Sequence, residues 1–238
     1  MFGLAIFLAL CLGPVHAPAR AEAVSIELVL AVDTSASVDA MEYSLQMRGI
    51  AAALESDDII EAIGLHKDGV AIAVLQWSGG LLGNIAVDWT VVSSENSVRV
   101  LARKIAQVPR ANTGNFTAIS TAIIRSMEML ETNVQVGKYR RIDISGDGRN
   151  NSGQHPAIAR SIAINRDITI NSLAILDGDP GLAAYYRVNV TGGPGSFVIS
   201  ADDFEDFAEA MIRKLGRELT VQLSAAPPCE MDSRHAAR

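Results

Sequence analysis

Cysteine and aromatic residues are scarce in this chain of 238 residues. The two cysteines are Cys11, in an apolar N-terminal run, and Cys229, in the C-terminal tail. If the N-terminal run is removed as a signal peptide, Cys229 remains alone, which excludes an internal disulfide and leaves cross-linking of two chains. Aromatic residues make up 5% of the chain, so the core has to be built mainly from Val, Ile, Leu, Ala and Met.

Basic residues are fewer than acidic ones. The chain has 20 Lys and Arg against 27 Asp and Glu, which gives a net charge of −7. It contains no basic run and no set of aromatic side chains on which bases could stack. We therefore expect no binding to nucleic acid or to an anionic membrane surface.

The N-terminus is apolar from its first residue to about Val15, a run too short for the roughly 20 residues that span a bilayer. Ala19-Arg20-Ala21 follows as a small-x-small cleavage signature. This pattern predicts a signal peptide over residues 1–21 and an exported protein, periplasmic or secreted, with no stable membrane insertion after cleavage. A short amphipathic membrane anchor is the alternative, because the apolar run has no Lys or Arg before it.

Apolar strands alternate with amphipathic helices along the rest of the chain. Strands are predicted over 25–33, 70–77, 83–92, 141–145 and 169–176, and helices over 40–54, 94–107, 118–131, 156–165 and 201–219. The alternation predicts an α/β fold with a single doubly wound, mainly parallel sheet and helices on both faces. The strand over 83–92 is the candidate for an antiparallel one. We assign the domain to residues 22–223 and expect the tail over 224–238 to be disordered.

Local signals define several element boundaries. Asp39 can cap the helix that begins at residue 40. Pro109 disfavours helix in the residue before it, so the preceding helix should end there. The last helix is predicted to hold Asp202, Asp203 and Glu205 in its first turn, where carboxylates favour the helix dipole.

Three polar clusters fall where strands or loops end. They are Asp33-Thr34-Ser35-Ala36-Ser37, Thr117, and Ser145-Gly146-Asp147-Gly148. Ligands of open α/β sheets bind at the carboxyl ends of strands, where the strand order reverses. A carboxylate with hydroxyls two and four residues later can direct three oxygens to one point, and Mg²⁺ prefers oxygen ligands. An ion with so few carboxylates stays electron-poor and should attract an anionic ligand to an open position.

The first cluster resembles the D-x-S-x-S motif of von Willebrand factor type A domains, and the other two resemble the threonine and aspartate of their metal-ion-dependent adhesion site (MIDAS). The resemblance spans about residues 25–223 and is also seen with a group of exported bacterial A-like proteins of unknown function. It implies a metal site formed by Asp33, Ser35, Ser37, Thr117 and Asp147. Thr117 would bind directly and Asp147 through water, or the reverse in another state. Mg²⁺ is the expected ion, with Mn²⁺ or Ca²⁺ as alternatives.

The chain departs from the family pattern in one loop. Asn115-Phe116 precedes Thr117 where many relatives have two glycines, and Thr113 is a competing candidate. The serines have a simpler interpretation as caps of the following helix. Asp147 also has a simpler interpretation, as the central residue of a Gly-Asp-Gly turn.

The resemblance implies a protein-binding module of the adhesion type, which coordinates an Asp or Glu carboxylate of a partner protein, and not an enzyme. One alternative is a hydrolase that uses the same metal to activate water. Another is a scaffold that binds no metal. The sequence shows no positioned base, since His155 beside Pro156 is expected to begin a helix, and this favours the binding module.

Overall fold

A computed structural model describes residues 22–79, 83–111 and 114–220 of the chain. The predicted signal peptide, Thr113, both cysteines and the predicted tail lie outside these described residues. The strands are β1 (Glu22–Asp33), β2 (Val70–Trp77), β3 (Asn84–Val92), β4 (Gln135–Gly146), β5 (Ile168–Ile175) and β6 (Val198–Ala201). The helices are α1 (Ala40–Glu55), α2 (Asp57–Gly64), α3 (Glu95–Ala106), α4 (Ile119–Thr132), α5 (Pro156–Ile164), α6 (Leu182–Asn189) and α7 (Phe207–Thr220).

The strands form one sheet in the order β3-β2-β1-β4-β5-β6. All neighbouring pairs are parallel except β2 and β3, which are antiparallel. The predicted α/β fold with a mainly parallel sheet is confirmed, and so is the antiparallel strand over 83–92. No helix in the described part of the chain has the length and apolar character needed to cross a membrane.

Helices cover both faces of the sheet and bury a separate apolar cluster on each. Leu28, Leu30 and Val32 of β1 pack with α1, α2, α3 and α7, whereas Val29 and Ala31 pack with α4, α5 and α6. Because side chains alternate between the two faces of a strand, a strand covered on both faces has to be apolar throughout. This explains the unbroken apolar run of β1.

The strand order reverses between β1 and β4. After β1 the chain adds β2 and β3 on one side, and after β4 it adds β5 and β6 on the other. The carboxyl ends of β1 and β4 therefore lie side by side, with Val32 paired with Ser145. Four of the five candidate metal ligands, Asp33, Ser35, Ser37 and Asp147, lie at or directly after these two ends.

Helix starts follow the local signals in most cases. The Asp39 side chain accepts hydrogen bonds from the backbone N–H groups of Met41 and Glu42, and the Glu42 side chain accepts one from the Asp39 N–H. This capping box confirms Asp39 as the N-cap of α1. His155 caps α5 through Nδ1, as expected for a helix-start residue.

The predicted start of the last helix is wrong. Ala201 ends β6, and α7 begins only at Phe207. The side chains of Asp203 and Asp206 accept hydrogen bonds from the backbone N–H groups of Asp206 and Asp202, and these local bonds hold a turn in place of a first helical turn.

The structure also has elements that the sequence pattern did not indicate. They are α2, α6 and β6, and β4 starts six residues before its predicted start at residue 141. The first two are helices of eight residues and β6 has four, so each is too short to show a clear hydrophobic period.

Candidate metal centre

Asp33 is the last residue of β1 and its side chain is fully buried. One carboxylate oxygen, Oδ1, accepts a hydrogen bond of 2.8 Å from the backbone N–H of Ser35. The other, Oδ2, is buried and has no hydrogen-bond partner in the described part of the chain. A buried carboxylate oxygen without a partner is costly, so this atom is suited to a positively charged ligand.

Ser35, Ser37 and Asp147 form a short hydrogen-bonded chain at the end of β4. The Ser37 hydroxyl donates to Asp147 Oδ1 over 2.9 Å, and the two serine hydroxyl oxygens are 3.2 Å apart. Since the Ser37 proton is directed to Asp147, the Ser35 hydroxyl is the donor in the serine pair. The structure therefore places three of the predicted ligands in direct contact, beside Asp33.

The loop after β1 is held by contacts from distant parts of the chain. The Thr34 N–H and hydroxyl both donate to the carbonyl of Trp77 at the end of β2. The Arg110 guanidinium donates to the carbonyls of Thr34 and Ser35 at 2.8 and 3.0 Å. Asp39 caps the helix that follows, and this leaves the two serine hydroxyls for the site.

Thr117 lies beside the segment that follows Asp147. Its N–H donates to Asn151 Oδ1 over 2.8 Å, and its carbonyl accepts from the Asn151 N–H over 2.9 Å. A Cβ at Gly148 would be 3.4 Å from the Thr117 hydroxyl oxygen, so the two loops are in close contact. Within residues 22–79, 83–111 and 114–220 the Thr117 hydroxyl has no hydrogen bond of its own, which leaves it available to a ligand.

Gly146 sits between Asp33 and a tyrosine of α6. A Cβ at this position would be 2.8 Å from Asp33 Oδ2 and 2.9 Å from the hydroxyl of Tyr186, which is too close for any side chain. The Tyr186 hydroxyl donates to the Gly148 carbonyl over 3.2 Å. Tyr186 thereby packs against the carboxylate and fixes the backbone next to Asp147.

The two carboxylates repel each other in a buried setting. Burial, with a smaller contribution from the Asp147 carboxylate, raises the pKa of Asp33 from 3.8 to about 7. Burial also raises the pKa of Asp147, against the hydrogen bond from Ser37. Tyr186 has a pKa well above its ordinary value, because it is buried and faces both carboxylates. A cation between the carboxylates would relieve this repulsion.

These residues fit a hard divalent cation. Asp33 offers an unpaired buried oxygen, and Ser35, Ser37, Thr117 and Asp147 offer further oxygens from neighbouring loops. In the described part of the chain no group of three or more His, Cys, Asp or Glu side chains is placed to hold a metal. A metal here would therefore depend on hydroxyl oxygens, which suits Mg²⁺ better than a metal that prefers nitrogen or sulfur ligands.

Several residues around the site were not singled out from the sequence as part of it. Arg110, Asn151 and Tyr186 contact the candidate ligands from distant positions in the chain. Tyr186 gave no signal because its helix α6 was not predicted. Asn151, within Asp147-Gly-Arg-Asn-Asn, follows the candidate aspartate closely enough to have been considered.

The parallel sheet, its switch point and the loop cluster define a von Willebrand factor type A fold, and comparison with solved structures supports this. Proximal thread matrix protein 1 from the mussel byssus is 16% identical with a TM-score of 0.61, over 82% of this chain and 48% of the mussel chain. Von Willebrand factor type A from Catenulispora acidiphila is 15% identical with a TM-score of 0.55, over 82% of this chain and 42% of that chain. The domain thus spans less than half of either relative.

The von Willebrand domain of the type V pili tip protein Mfa5 from Porphyromonas gingivalis is similar over 86% of this chain and 98% of its own, at 10% identity and a TM-score of 0.57. One structure of the mussel protein has a zinc-occupied MIDAS motif. At these identities the likeness establishes the fold alone.

The chain belongs to the family described as protein of unknown function, DUF1194, whose sequence model matches residues 23–223. Comparison with curated proteins found no match.

Proposed function

We propose that this domain is a divalent-metal-dependent protein-binding module. Asp33, Ser35 and Ser37 would hold the ion together with Thr117 and Asp147, and an Asp or Glu carboxylate of a partner protein would take an open position. The observation that carries the proposal is the buried, unpaired Asp33 Oδ2 at the point where the strand order reverses. Mg²⁺ is the first candidate. The zinc-occupied motif of the mussel protein supports a divalent ion in this type of fold.

Two observations favour binding over hydrolysis. His155 Nδ1 accepts the Ala157 N–H at the start of α5, and His66 Nε2 lies 3.0 Å from the carbonyl of Leu219. Both histidines in the described part of the chain are therefore engaged in structural contacts, and neither has a hydrogen bond to a candidate ligand there. The type V pili tip protein has the same fold, which agrees with an adhesion role.

Calorimetric titration of the chelator-treated protein with Mg²⁺ and Mn²⁺ tests the proposal. We expect saturable binding in the wild type and its loss in Asp33→Asn, which keeps the size of the side chain and removes its charge. Asp68→Asn is the matched control, because Asp68 is exposed in the turn before β2, at the opposite edge of the sheet. Equal affinities in the wild type and Asp33→Asn would refute the metal site.

Recovery of a partner from a cell-envelope fraction tests the binding role. A partner that is retained with Mg²⁺ and released by chelator supports the proposal, whereas one that is retained in chelator supports the metal-free scaffold.

We also propose that the protein is exported and cleaved before Glu22. The apolar N-terminal run and Ala19-Arg20-Ala21 support this. N-terminal sequencing of the protein from the envelope or the medium should begin at Glu22. An intact first residue in membranes would instead support the amphipathic anchor.

A further inference from the structure

Further carboxylates surround the candidate metal centre at the same edge of the sheet. Asp39 and Glu42 belong to the capping box of α1, two and five residues after Ser37. Asp177 follows the end of β5, the strand next to β4, and is exposed. We refer to Asp39, Glu42 and Asp177 as the acidic rim.

The acidic rim lies within electrostatic reach of the site. The pKa of Glu42 is raised by burial first, and then by the carboxylates of Asp39, Asp147 and Asp177. Asp177 makes no hydrogen bond or ion pair within the described residues, so its charge is uncompensated. The geometry agrees, because Gly146, next to Asp147, pairs in the sheet with Ala174, three residues before Asp177. Ser37, which donates to Asp147, lies two residues before the N-cap Asp39.

Two arginines at this edge are engaged outside the rim. Arg149 pairs with Asp179 through two contacts of 2.7 and 3.2 Å. Arg110 donates to two backbone carbonyls of the loop after β1, and its charge acts against the burial that raises the pKa of Asp33. A bound divalent ion would neutralise the charges of Asp33 and Asp147. It would not neutralise the negative charges of the acidic rim.

Two exposed apolar side chains border the same site. Met41 is 71% exposed at the start of α1, and Phe116, directly before Thr117, is 58% exposed. A Cβ at Gly79 would overlap the Cβ of Phe116, so Gly79 allows the close approach of this loop. The loop also bonds to the first cluster, because the Asn115 carbonyl accepts the Ala36 N–H. An exposed aromatic face next to the loop that carries the candidate ligands is suited to the stem and charge of a Lys or Arg side chain.

We propose that the partner presents its metal-binding carboxylate on a segment that also carries basic side chains next to it. A lone carboxylate approaching the ion would meet repulsion from the acidic rim, whereas adjacent Lys or Arg side chains would pair with Glu42 and Asp177 and pack on Phe116. The partner surface is therefore basic around one acidic residue. This inference rests on the proposed function, since it concerns the same site.

Short synthetic peptides provide the probe. Each has one central Asp, flanked by glycines, lysines or glutamates, and a fourth has Asn between lysines. Binding to the full chain with saturating Mg²⁺ is followed by chemical-shift changes at low salt. We expect the lysine-flanked Asp peptide to bind roughly three- to tenfold more tightly than the glycine-flanked one, and the glutamate-flanked one to bind most weakly.

The double variant Glu42→Gln/Asp177→Asn tests the rim itself. Gln keeps an oxygen for the capping box, so α1 retains its cap. The preference for lysine flanks should fall to near unity in this variant, and should persist in Asp68→Asn, which removes a charge at the opposite edge. Thermal unfolding of the variants verifies that each is folded.

The outcomes separate the two proposals. If Asp peptides need Mg²⁺ but lysine flanks give no advantage, or the double variant keeps the advantage, the rim proposal is wrong and the metal site stands. The same holds if Mg²⁺ binds but no peptide does. If the Asn peptide binds as well as its Asp counterpart, or chelator has no effect, the partner carboxylate is not coordinated and both proposals fail.

Discussion

At the scale of single residues, Asp33 is under two opposing demands. Its burial and the nearby Asp147 carboxylate disfavour its charged form, yet that charge is what a metal ion needs. The folded metal-free protein therefore holds a proton on Asp33 over a pH range in which the unfolded chain has lost it. The site is thereby destabilised at neutral pH until a cation arrives.

This conflict predicts a pH-dependent stability in chelator. The pKa of Asp33 is about 7 in the folded protein and 3.8 in the free side chain. Its contribution to the free energy of unfolding is therefore fully present below about pH 4 and is lost as the pH rises through 7. Asp33→Asn should therefore be more stable than the wild type at pH 8 by roughly 1–3 kcal/mol. Urea unfolding from pH 4 to 8 measures this, with Asp68→Asn as the control. Parallel stability curves for wild type and Asp33→Asn would contradict it.

The sequence was sufficient to predict the candidate metal ligands but not the residues that position them. Asp33, Ser35 and Ser37 form a local motif, and Asp147 follows a strand end that β-strand periodicity makes visible. Tyr186 and Arg110 reach the site through contacts that span 38 and 75 or more residues of chain, and no local pattern encodes such contacts.

At the scale of elements, α6 restrains the loop that carries Asp147. The Tyr186 hydroxyl donates to the Gly148 carbonyl, and the Tyr185 hydroxyl accepts the Asn150 N–H over 3.3 Å. The Arg149 guanidinium lies 5.3 Å from the centre of the Tyr185 ring. One short helix thereby contacts three successive residues after Asp147.

Removal of both hydroxyls should loosen this loop. In Tyr185→Phe/Tyr186→Phe we expect the Mg²⁺ affinity to fall about fivefold or more, because two hydrogen bonds of roughly 1 kcal/mol each are lost next to a ligand. Calorimetric titration gives the affinity. Tyr139→Phe is the control, since its hydroxyl has no hydrogen bond in the described chain. An unchanged Mg²⁺ affinity in the double variant would exclude a positioning role for α6.

Helix α7 is anchored by a buried charge cluster on the other face of the sheet. Lys214 Nζ lies 2.7 Å from Asp143 Oδ2 and 2.8 Å from Glu218 Oε1, and all three side chains are fully buried. Asn171 donates to the same Glu218 oxygen. Removal of one charged side chain should destabilise the fold, because its partners would remain buried without a counter-charge and without water.

Lys214→Met should therefore destabilise the protein by about 3–5 kcal/mol, because it removes the cation that pairs with the buried carboxylates of Asp143 and Glu218. Denaturant unfolding provides the measurement. Lys67→Met, at an exposed turn, should change the stability by less than about 0.5 kcal/mol. Similar values for the two variants would contradict an anchoring role for the Lys214 ion pairs.

Long helices and strands were predicted from the sequence more accurately than short ones. The long apolar strands and the 14- to 16-residue helices α1 and α4 were found near their observed positions. The start of α7 was misplaced because Asp202 and Asp203 resemble a helical first turn, whereas the side chains of Asp203 and Asp206 accept backbone hydrogen bonds in a different local structure.

At the scale of the whole molecule, the two apolar clusters share the same strands. The side chains of β1 alternate between the two clusters. Unfolding of either layer of helices would therefore expose apolar side chains of the sheet to water. The candidate metal site joins the ends of β1 and β4 at the centre of this sheet. Metal binding should therefore stabilise the entire domain and not one half of it.

A single calorimetric unfolding transition is expected, both in chelator and with Mg²⁺. A Mg²⁺ concentration about 100 times the dissociation constant should add roughly 2.7 kcal/mol to the free energy of unfolding and move this one transition upward. Two separate transitions, of which Mg²⁺ shifts only one, would contradict a shared core.

The close approach at Gly146 has a consequence for how the family can change over evolutionary time. Alanine at this position would displace either Asp33 or Tyr186, so a single substitution there should be eliminated by selection. Relatives that lack the glycine are expected to have lost the bulky aromatic residue at 186, the aspartate at 33, or both. The residues at 33, 146 and 186 should thus be inherited together, and lineages in which the aspartate at 33 has also been lost are those in which the metal has been abandoned.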